Sequence, residues 1–325
     1  MLVAENVHQI RSGYHGIYAA AYLVTGKDLT LIDSGESETW REQIEPYIRK
    51  LGRDPRELHR VIHTHGHDDH VHSDLEIRAE TGAEIWISET GARFLEEPGS
   101  RARWEESLYD GCLTAEEREA IRLGTDYRGP PRREEPILVD RRYQDGETLE
   151  AGPLTLWVVH APGHTVDSYC LVAEKEGLLF TGDAVNGEGT DFDDLPVFQD
   201  LEAMLATMTK LQGLPARQLL AAHPYLPFRE SVLDSERGRE LMRRTASFSS
   251  RMTARITELL AAAGGPLSTA EISARICAEL GPNRPEPRPH GTVRLHLVAM
   301  ARQGRVAAQP EAARVLWLWR REASG

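Results

Sequence analysis

Eight residues constrain this chain more than any other part of its sequence: the stretch HTHGHDDH at 63–70. It comes at the end of a short apolar segment, which starts at Leu58 and is typical of a strand. Neutral imidazoles and carboxylates are the ligands expected for zinc or iron. Since alternate residues leaving a strand point to one side, His65 and His67 can face one cation while Asp69 and His70 face another. The alternative is a solvated histidine-rich loop, which this spacing of ligand types disfavours.

Three later motifs each place one further ligand type at the end of a predicted strand. They read PGHT, TGD and AAHP in chain order. Each motif is a weak signal alone, but their order after the histidine-rich stretch indicates a single metal centre. Their candidate ligands are His164, Asp183 and His223.

Taken together, these motifs resemble those of the metallo-β-lactamase superfamily, over roughly residues 15–228. The resemblance implies the α/β fold class, as an αββα sandwich that holds metal ions between the edges of its two sheets. It gives a first metal three histidines and a second metal one aspartate and two histidines, with another aspartate bridging both. In this sequence the positions are His65, His67 and His164, then Asp69, His70 and His223, and the bridging Asp183.

The resemblance implies two further roles. Asp33, in the motif LIDSG, matches an early aspartate of the family that orients a metal ligand from behind. Asp69 is the candidate catalytic residue, because a carboxylate at the metal can orient the nucleophile and help to move its proton. Replacing His63 by alanine is expected to preserve metal binding and activity. That residue belongs to a set outside the motif pattern that we interpret as structural or supporting: His59, His63, His72 and His160.

The implied activity is hydrolysis by a metal-bound hydroxide, since a metal ion can lower the pKa of water from 15.7 to about 7. Two zinc ions are expected, and iron or manganese would suit the same ligands. A residual positive charge at the metals, inside an acidic protein, favours a small anionic ester-type substrate, either a thioester or a lactone. Class B1 β-lactamases have a cysteine among the ligands of the second metal. Antibiotic hydrolysis is not expected, because no cysteine of this chain lies in such a motif: Cys112, Cys170 and Cys277.

Three other functions remain as alternatives. A single-strand RNA endonuclease of the β-lactamase-like protein 2 branch would need a basic groove. A persulfide dioxygenase shares much of the motif set but uses a single iron ion. A regulator with a vestigial metal domain is disfavoured, because all seven ligand positions carry an acceptable residue.

Residues 1–228 are the predicted catalytic domain, because strands and helices alternate along them. One predicted helix, 69–81, carries two candidate ligands and ends at Gly82. A helical insertion at about 92–136 is either a surface element or a lid over the site.

Residues 229–325 are predicted to form a helical linker and a small winged-helix-like domain. Its helices are expected around 256–260, 269–280 and 291–303, followed by a hairpin of strands at 305–308 and 315–319. This pattern resembles the winged-helix module associated with the β-lactamase-like protein 2 branch. The tail either packs beside the active site or binds nucleic acid, and packing is favoured.

Charge and composition bear on partners and location. The chain carries a net charge of −13, whereas residues 251–325 contain 11 Arg and 6 Glu, a balance of +5. An acidic body repels nucleic acid, so a small-molecule substrate is favoured, and a homodimer is compatible with an exposed wing.

No apolar run approaches the roughly 20 residues that span a bilayer. The absence of a signal-like N-terminus and the three scattered cysteines predict a cytoplasmic protein without a membrane partner.

Overall fold

Two β-sheets packed face to face form the centre of the protein. The computed structural model describes residues 1–14, 16–109, 112–116, 118–119, 135–191, 195–280, 288–311 and 314–320. Within these ranges the first sheet has seven strands, which lie in chain order: β1 (Leu2–Ala4), β2 (Val7–Tyr14), β3 (Ile17–Val24), β4 (Leu29–Ile32), β5 (Leu58–Ile62), β6 (Glu84–Ser88) and β7 (Arg141–Tyr143).

The second sheet has six strands within the same ranges, in the spatial order β13-β12-β11-β10-β9-β8. Their bounds are β8 (Thr148–Ala151), β9 (Leu154–His160), β10 (Tyr169–Ala173), β11 (Leu178–Gly182), β12 (Gln218–Ala221) and β13 (Val232–Asp234). The parallel pairs in the two sheets, β4 with β5 and β11 with β12, matter most for the site. Because parallel neighbours end at the same edge of a sheet, the residues that follow these strands are brought together.

Helices cover the outer faces of both sheets. On the first sheet lie a π-helical turn (Trp40–Ile44), α1 (Glu45–Lys50), a 3₁₀ turn (Pro55–Glu57), α2 (Asp68–Val71), α3 (Asp74–Thr81) and α4 (Glu89–Glu96), with α5 (Ser100–Leu108) beside α4. On the second sheet lie α6 (Leu201–Gln212) and α7 (Ser235–Ala262). No helix in these described ranges is long and apolar enough to cross a membrane.

Three apolar layers hold this arrangement together: one between the sheets and one under each set of helices. Representative buried members are Tyr22, Leu156 and Phe180 between the sheets, Trp40, Ile48 and Ile77 on the first outer face, and Met204, Met208 and Leu241 on the second. The order helices–sheet–sheet–helices confirms the predicted αββα sandwich.

The C-terminal half of α7 and the chain after it form a smaller unit with its own apolar core. It contains β14 (Leu267–Ser268), α8 (Thr269–Leu280), α9 (Arg288–Arg302), β15 (Val306–Pro310) and β16 (Val315–Trp319), and β16 lies between β14 and β15 in an antiparallel sheet. Trp317, completely buried, is the largest side chain of this core. The predicted helices and hairpin are present, and their assignment as a winged-helix module stays a prediction.

The predicted helix 69–81 is wrong in one respect, because it is interrupted between α2 and α3. The loop after β4 forms two hydrogen bonds with the backbone at the interruption. Ser34 N donates to the carbonyl of His70 at 2.7 Å, and His72 N donates to that of Gly35 at 3.0 Å. The hydroxyl of Ser73 also donates to the carbonyl of Glu36. The break therefore ties the ligand-bearing helix to the loop that carries Asp33. Gly82, as predicted, ends α3 in the left-handed conformation.

Two predicted boundaries also differ from the structure. The second sheet continues past residue 228, because β13 pairs with β12, although the division into two domains itself stays a prediction. Helix α4 begins at Glu89, ahead of the insertion expected at about 92–136. Residues 120–134 of that insertion lie outside the described residues, and a lid role stays a prediction.

Candidate metal centre

Three histidines form a first group of converging ring nitrogens. Nε2 of His65 lies 3.1 Å from Nδ1 of His67, which lies 3.0 Å from Nε2 of His164. Burial first, and then the neighbouring His70, lower the pKa of His65 to about 3. Burial and the nearby Arg101 guanidinium hold the pKa of His67 well below its ordinary value. The ring nitrogens of the three histidines converge on one point, which fits a divalent cation such as zinc or iron.

Two aspartates and two histidines form a second group directly beside the first. Nε2 of His223 lies 3.1 Å from Oδ2 of Asp69 and 3.5 Å from Oδ2 of Asp183. Nε2 of His70 lies 3.8 Å from Oδ2 of Asp69 and 3.6 Å from Oδ2 of Asp183. Nε2 of His70 and Oδ1 of Asp183 are buried without a hydrogen-bond partner among the described residues. Buried polar atoms are rarely left in this way, and two nitrogens with two carboxylates fit a second divalent cation.

Asp183 lies at the boundary of the two groups. Its Oδ2 is 3.6 Å from Nε2 of His164 in the first group, and similarly close to the histidines of the second. The strand order explains this position, because Asp183 follows β11 and His223 follows the parallel neighbour β12. One carboxylate is therefore within reach of both candidate cations.

Each candidate ligand that would bind through Nε2 is supported at its other ring nitrogen. Nδ1 of His164 is 2.7 Å from the carbonyl of Val197, and Nδ1 of His223 is 3.0 Å from that of Tyr18. Since a carbonyl can only accept, Nδ1 carries a proton in both rings, and Nε2 is the nitrogen left to face a metal. Nδ1 of His65 faces the hydroxyl of Thr64 at 3.2 Å.

Asp33 contacts the second group from the side away from the candidate cations, through His70. Its Oδ2 lies 2.9 Å from Nδ1 of His70 and accepts from the hydroxyl of Thr64 at 2.8 Å, while Oδ1 accepts from Thr64 N at 2.8 Å. Asp33 has a φ of 58°, a left-handed conformation that aspartate tolerates better than most residues. Burial alone would raise the pKa of Asp33, but His70 and then His63 hold it well below its ordinary value.

Opposite charges dominate the electrostatics of the second group. Burial alone would lower the pKa of His223, but Asp183 and then Asp69 raise it to about 10. Burial would raise the pKa of Asp183, but His223 and His70 hold it well below its ordinary value. His70 and then His223 likewise hold the pKa of Asp69 below its ordinary value. Both carboxylates therefore stay ionised, which suits them to cation binding.

The structure brings all seven predicted ligands together and leaves the other histidines of the motif region outside both groups. His59 is exposed, 3.6 Å from Asp28, and Nε2 of His160 faces the carbonyl of Val166 at 3.0 Å. His63 is completely buried between Asp33 and Asp74.

Sequence reasoning missed three groups that hold the site: the carbonyls of Tyr18 and Val197, and the carboxylate of Asp167, which accepts from Gly66 N at 2.9 Å. The carbonyls have no signal in a sequence, since every residue carries one. Asp167 follows the PGHT motif closely enough to have been suspected.

Parts of the chain are similar in sequence to known proteins. An atrochrysone carboxyl ACP thioesterase of Paecilomyces divaricatus is 36% identical over 111 residues, which are 33% of this chain and 34% of that protein. The beta-lactamase-like protein 2 homolog of Caenorhabditis elegans is 34% identical over 79 residues, 24% of this chain and 25% of that protein. The chain thus matches only about a quarter to a third of the length of these relatives.

A solved structure matches nearly the whole chain. A metallo-beta-lactamase family protein of Thermus thermophilus has a TM-score of 0.72 at 22% identity, covering 98% of this chain and 100% of that one. This similarity concerns the fold. The sequence model of the metallo-beta-lactamase superfamily matches residues 16–223, well over half of the chain and a range that contains every candidate ligand. The protein therefore belongs to the metallo-β-lactamase superfamily.

Proposed function

We propose that this protein is a binuclear metal-dependent hydrolase that cleaves a small anionic thioester. The observation that carries the proposal is the position of Asp183, whose Oδ2 lies 3.6 Å from Nε2 of His164 and 3.6 Å from Nε2 of His70. A carboxylate placed in this way can be shared by two cations. In the proposal the first cation is held by His65, His67 and His164, the second by Asp69, His70 and His223, and Asp183 bridges them.

The chemistry proposed for the site is the attack of water on the thioester carbonyl carbon. Two divalent cations bound there would polarise the carbonyl and lower the pKa of a water molecule. Asp69 is the most exposed member of the second group, with 12% of its side chain accessible. Its carboxylate can orient the water, take its proton and return that proton to the departing sulfur. A carbon–oxygen bond forms as the carbon–sulfur bond breaks, and the products are a carboxylic acid and a thiol.

The choice of a thioester rests on the similarity to proteins described as thioesterases, which matches about a third of one such relative. A small anionic substrate suits a cationic centre in a chain whose net charge is −13. A lactone is the closest alternative, since the same attack at a carbonyl carbon would open it. Zinc is the metal we expect, and the nitrogen and oxygen donors would also accept iron or manganese.

The completeness of the second donor group supports hydrolysis over persulfide oxidation. A mononuclear iron dioxygenase requires one cation site, whereas Asp69, His70 and His223 add a second set of donors that share Asp183. Two cations on one bridging carboxylate suit hydrolysis.

The contacts of the C-terminal unit support a packing role over RNA binding. The guanidinium of Arg294 lies 5.8 Å from the ring centre of Tyr109, and Nη2 of Arg302 donates to the carbonyl of Leu108 at 2.9 Å. Arg294 and Arg302 of α9 thus contact the segment that includes α5. An RNA endonuclease of the beta-lactamase-like protein 2 type, the second candidate, would need such residues for phosphate contacts. A homodimer stays a prediction.

Metal content and substrate class can be tested in one experiment. We would count zinc, iron and manganese per chain by elemental analysis, then assay acyl thioesters, lactones, single-stranded RNA and persulfides with the same preparation. Two zinc ions per chain with cleavage of thioesters ahead of the other substrates is the expected result. One iron per chain with oxygen uptake on persulfides, or RNA cleavage ahead of thioester cleavage, would overturn the proposal.

A matched pair of variants ties the activity to the site. His164→Ala removes a candidate ligand, and the protein should lose the first cation together with thioesterase activity. His59→Ala removes an exposed histidine outside both donor groups, and it should retain both cations and activity.

A further inference from the structure

A buried ion pair lies directly behind the first donor group. Nη2 of Arg101, on α5, is 3.1 Å from Oδ2 of Asp167, and the exposed fractions of the two side chains are 12% and 0%. The guanidinium of Arg101 also stacks on Phe94, 4.5 Å from its ring centre. The pair therefore connects α4 and α5 to the loop that follows β9.

Asp167 connects the two loops that carry the first donor group. It lies three residues after His164, and its Oδ2 accepts a hydrogen bond at 2.9 Å from the backbone of Gly66, the residue between His65 and His67. The oxygen that holds the backbone is the one that Arg101 contacts. One carboxylate oxygen thus fixes the spacing of all three histidines.

The absence of a side chain at residue 66 fits this arrangement. A Cβ atom placed on Gly66 would lie 2.8 Å from Nη2 of Arg101 and 3.3 Å from Oδ2 of Asp167. The guanidinium is therefore pressed against the backbone between the two ligands, and any larger residue would have to push Arg101 away from Asp167.

We propose that Arg101 and Asp167 are positioning residues that clamp the His65–His67 loop against the His164 loop and so set the geometry of the first cation site. The inference rests on the metal centre proposed above and adds to it that the segment after β6 takes part in building the centre. Neither residue touches the reacting atoms in this proposal. They act through the backbone of Gly66 and the chain leading to His164.

For Arg101, loss of charge and loss of the clamp predict opposite changes in metal affinity, so an electrostatic role and a positioning role can be separated by experiment. Neutralising Arg101 removes a positive charge close to the cation, which by charge alone would strengthen metal binding. Neutralising Asp167 removes a negative charge, which by charge alone would weaken it. A clamp predicts weakening in both cases, because either change releases the loop.

The test uses cobalt(II) as the probe metal and the full chain. The variants are Arg101→Met, Asp167→Asn, the double variant and Arg101→Lys, with Arg103→Met, an exposed arginine of the same helix, as the matched control. Cobalt affinity and the visible absorption spectrum report on the donor groups. Hydrogen exchange of the peptide containing Gly66, measured without metal, reports on the loop itself.

Arg101→Met and Asp167→Asn should each weaken the first cobalt site about 10–100-fold, the usual effect of removing a partner of a metal ligand. The double variant should bind cobalt at the first site no more weakly than the weaker-binding single variant. Arg101→Lys should lose less cobalt affinity than Arg101→Met, and Arg103→Met should bind cobalt as tightly as the parent. Gly66 should exchange faster in Asp167→Asn. Tighter cobalt binding in Arg101→Met, or unchanged affinity in both single variants, would overturn the clamp.

Gly66→Ala keeps the test decisive if a charge variant does not fold. On its own it should weaken the first site by displacing Arg101, and in the Arg101→Met background it should add little further loss. Fully additive losses would contradict the proposal. The parent protein separates the two proposals: failure of the parent to bind two cobalt ions would argue against the metal centre, whereas normal parent binding with unaffected variants would remove the clamp alone.

Discussion

Nε2 of His63 lies 2.8 Å from Oδ2 of Asp74, and neither side chain has any exposed surface. Nδ1 of the same ring lies 3.5 Å from Oδ1 of Asp33, which orients the candidate ligand His70. His63 therefore lies between two buried carboxylates, one of which belongs to the metal centre. The expectation from sequence was that replacing His63 by alanine preserves metal binding and activity, and this position adds an effect on stability.

Replacing His63 by alanine should destabilise the metal-free protein by about 3–5 kcal/mol, the usual cost of breaking a buried ion pair by removing one partner. Both Asp33 and Asp74 would be left buried without their shared partner. Urea unfolding at pH 7 measures the change. His59→Ala removes an exposed histidine and should stay within about 0.5 kcal/mol of the parent. If His63→Ala has the same free energy of unfolding as His59→Ala, the buried ion pair contributes nothing to stability.

The stabilising effect of His63 should depend on pH. Burial alone would lower its pKa, but Asp74 and then Asp33 raise it from the ordinary 6.5 to about 9. A raised pKa in the folded state adds stability that is complete below the unfolded value and lost as the pH rises through the folded value. The difference in unfolding free energy between the parent and His63→Gln should therefore be constant below pH 6.5 and shrink from there to beyond pH 9. A difference that grows with pH in this window would contradict a charged His63.

Asp33→Asn should weaken the second cation site about 10–100-fold with less effect on the first, because it removes the carboxylate that orients His70. Asparagine is the appropriate replacement, since it tolerates the left-handed backbone found at this position, with φ of 58°. Zinc titration that resolves two binding steps measures the effect. Equal weakening of both steps would mean that Asp33 holds the whole loop through Thr64 and does not act on His70 in particular.

The candidate ligands could be predicted from sequence because they follow the ends of regular β-strands. His65 and His67 alternate after β5, and Asp183 and His223 follow the parallel neighbours β11 and β12. Strands of this kind carry a clear apolar pattern, so the edge where they end was predictable. The motif order supplied the remaining long-range information.

Contacts between distant segments could not be predicted in the same way. Arg101 and Asp167 are separated by 66 positions and His63 and Asp74 by 11, and no periodicity links either pair. The three-residue strands β1, β7 and β13 could not be predicted, because a strand so short has no measurable alternation. The interruption between α2 and α3 depends on the loop after β4, which lies more than 30 residues earlier.

Asp183→Ala should remove both cations, because the proposal makes this carboxylate a ligand of each. Elemental analysis should find well under one metal ion per chain where the parent holds about two, and thioesterase activity should be lost with the metal. Asp191→Ala removes an exposed aspartate that pairs with Arg229 on the surface and serves as the control. Retention of two metal ions in Asp183→Ala would overturn the bridging role.

Phe198→Ala should weaken the first cation site through the C-terminal unit. Phe198 is completely buried, and its ring lies 5.2 Å from that of His296 on α9. The preceding carbonyl, of Val197, accepts from Nδ1 of His164 and from the side chain of Asn186, both at 2.7 Å. Removing the phenyl ring should cost about 3–5 kcal/mol of stability and release the carbonyl that orients His164.

Ile48→Ala, which opens a cavity on the far side of the first sheet, is the matched control for that variant, with an expected cost of about 2–5 kcal/mol. Below their melting temperatures, the Ile48 variant should bind the first cation as tightly as the parent, whereas the Phe198 variant should bind it more weakly. If both bind the cation equally well, packing of α9 supports stability alone. Weaker binding confined to Phe198→Ala means that the C-terminal unit helps to hold His164 in place.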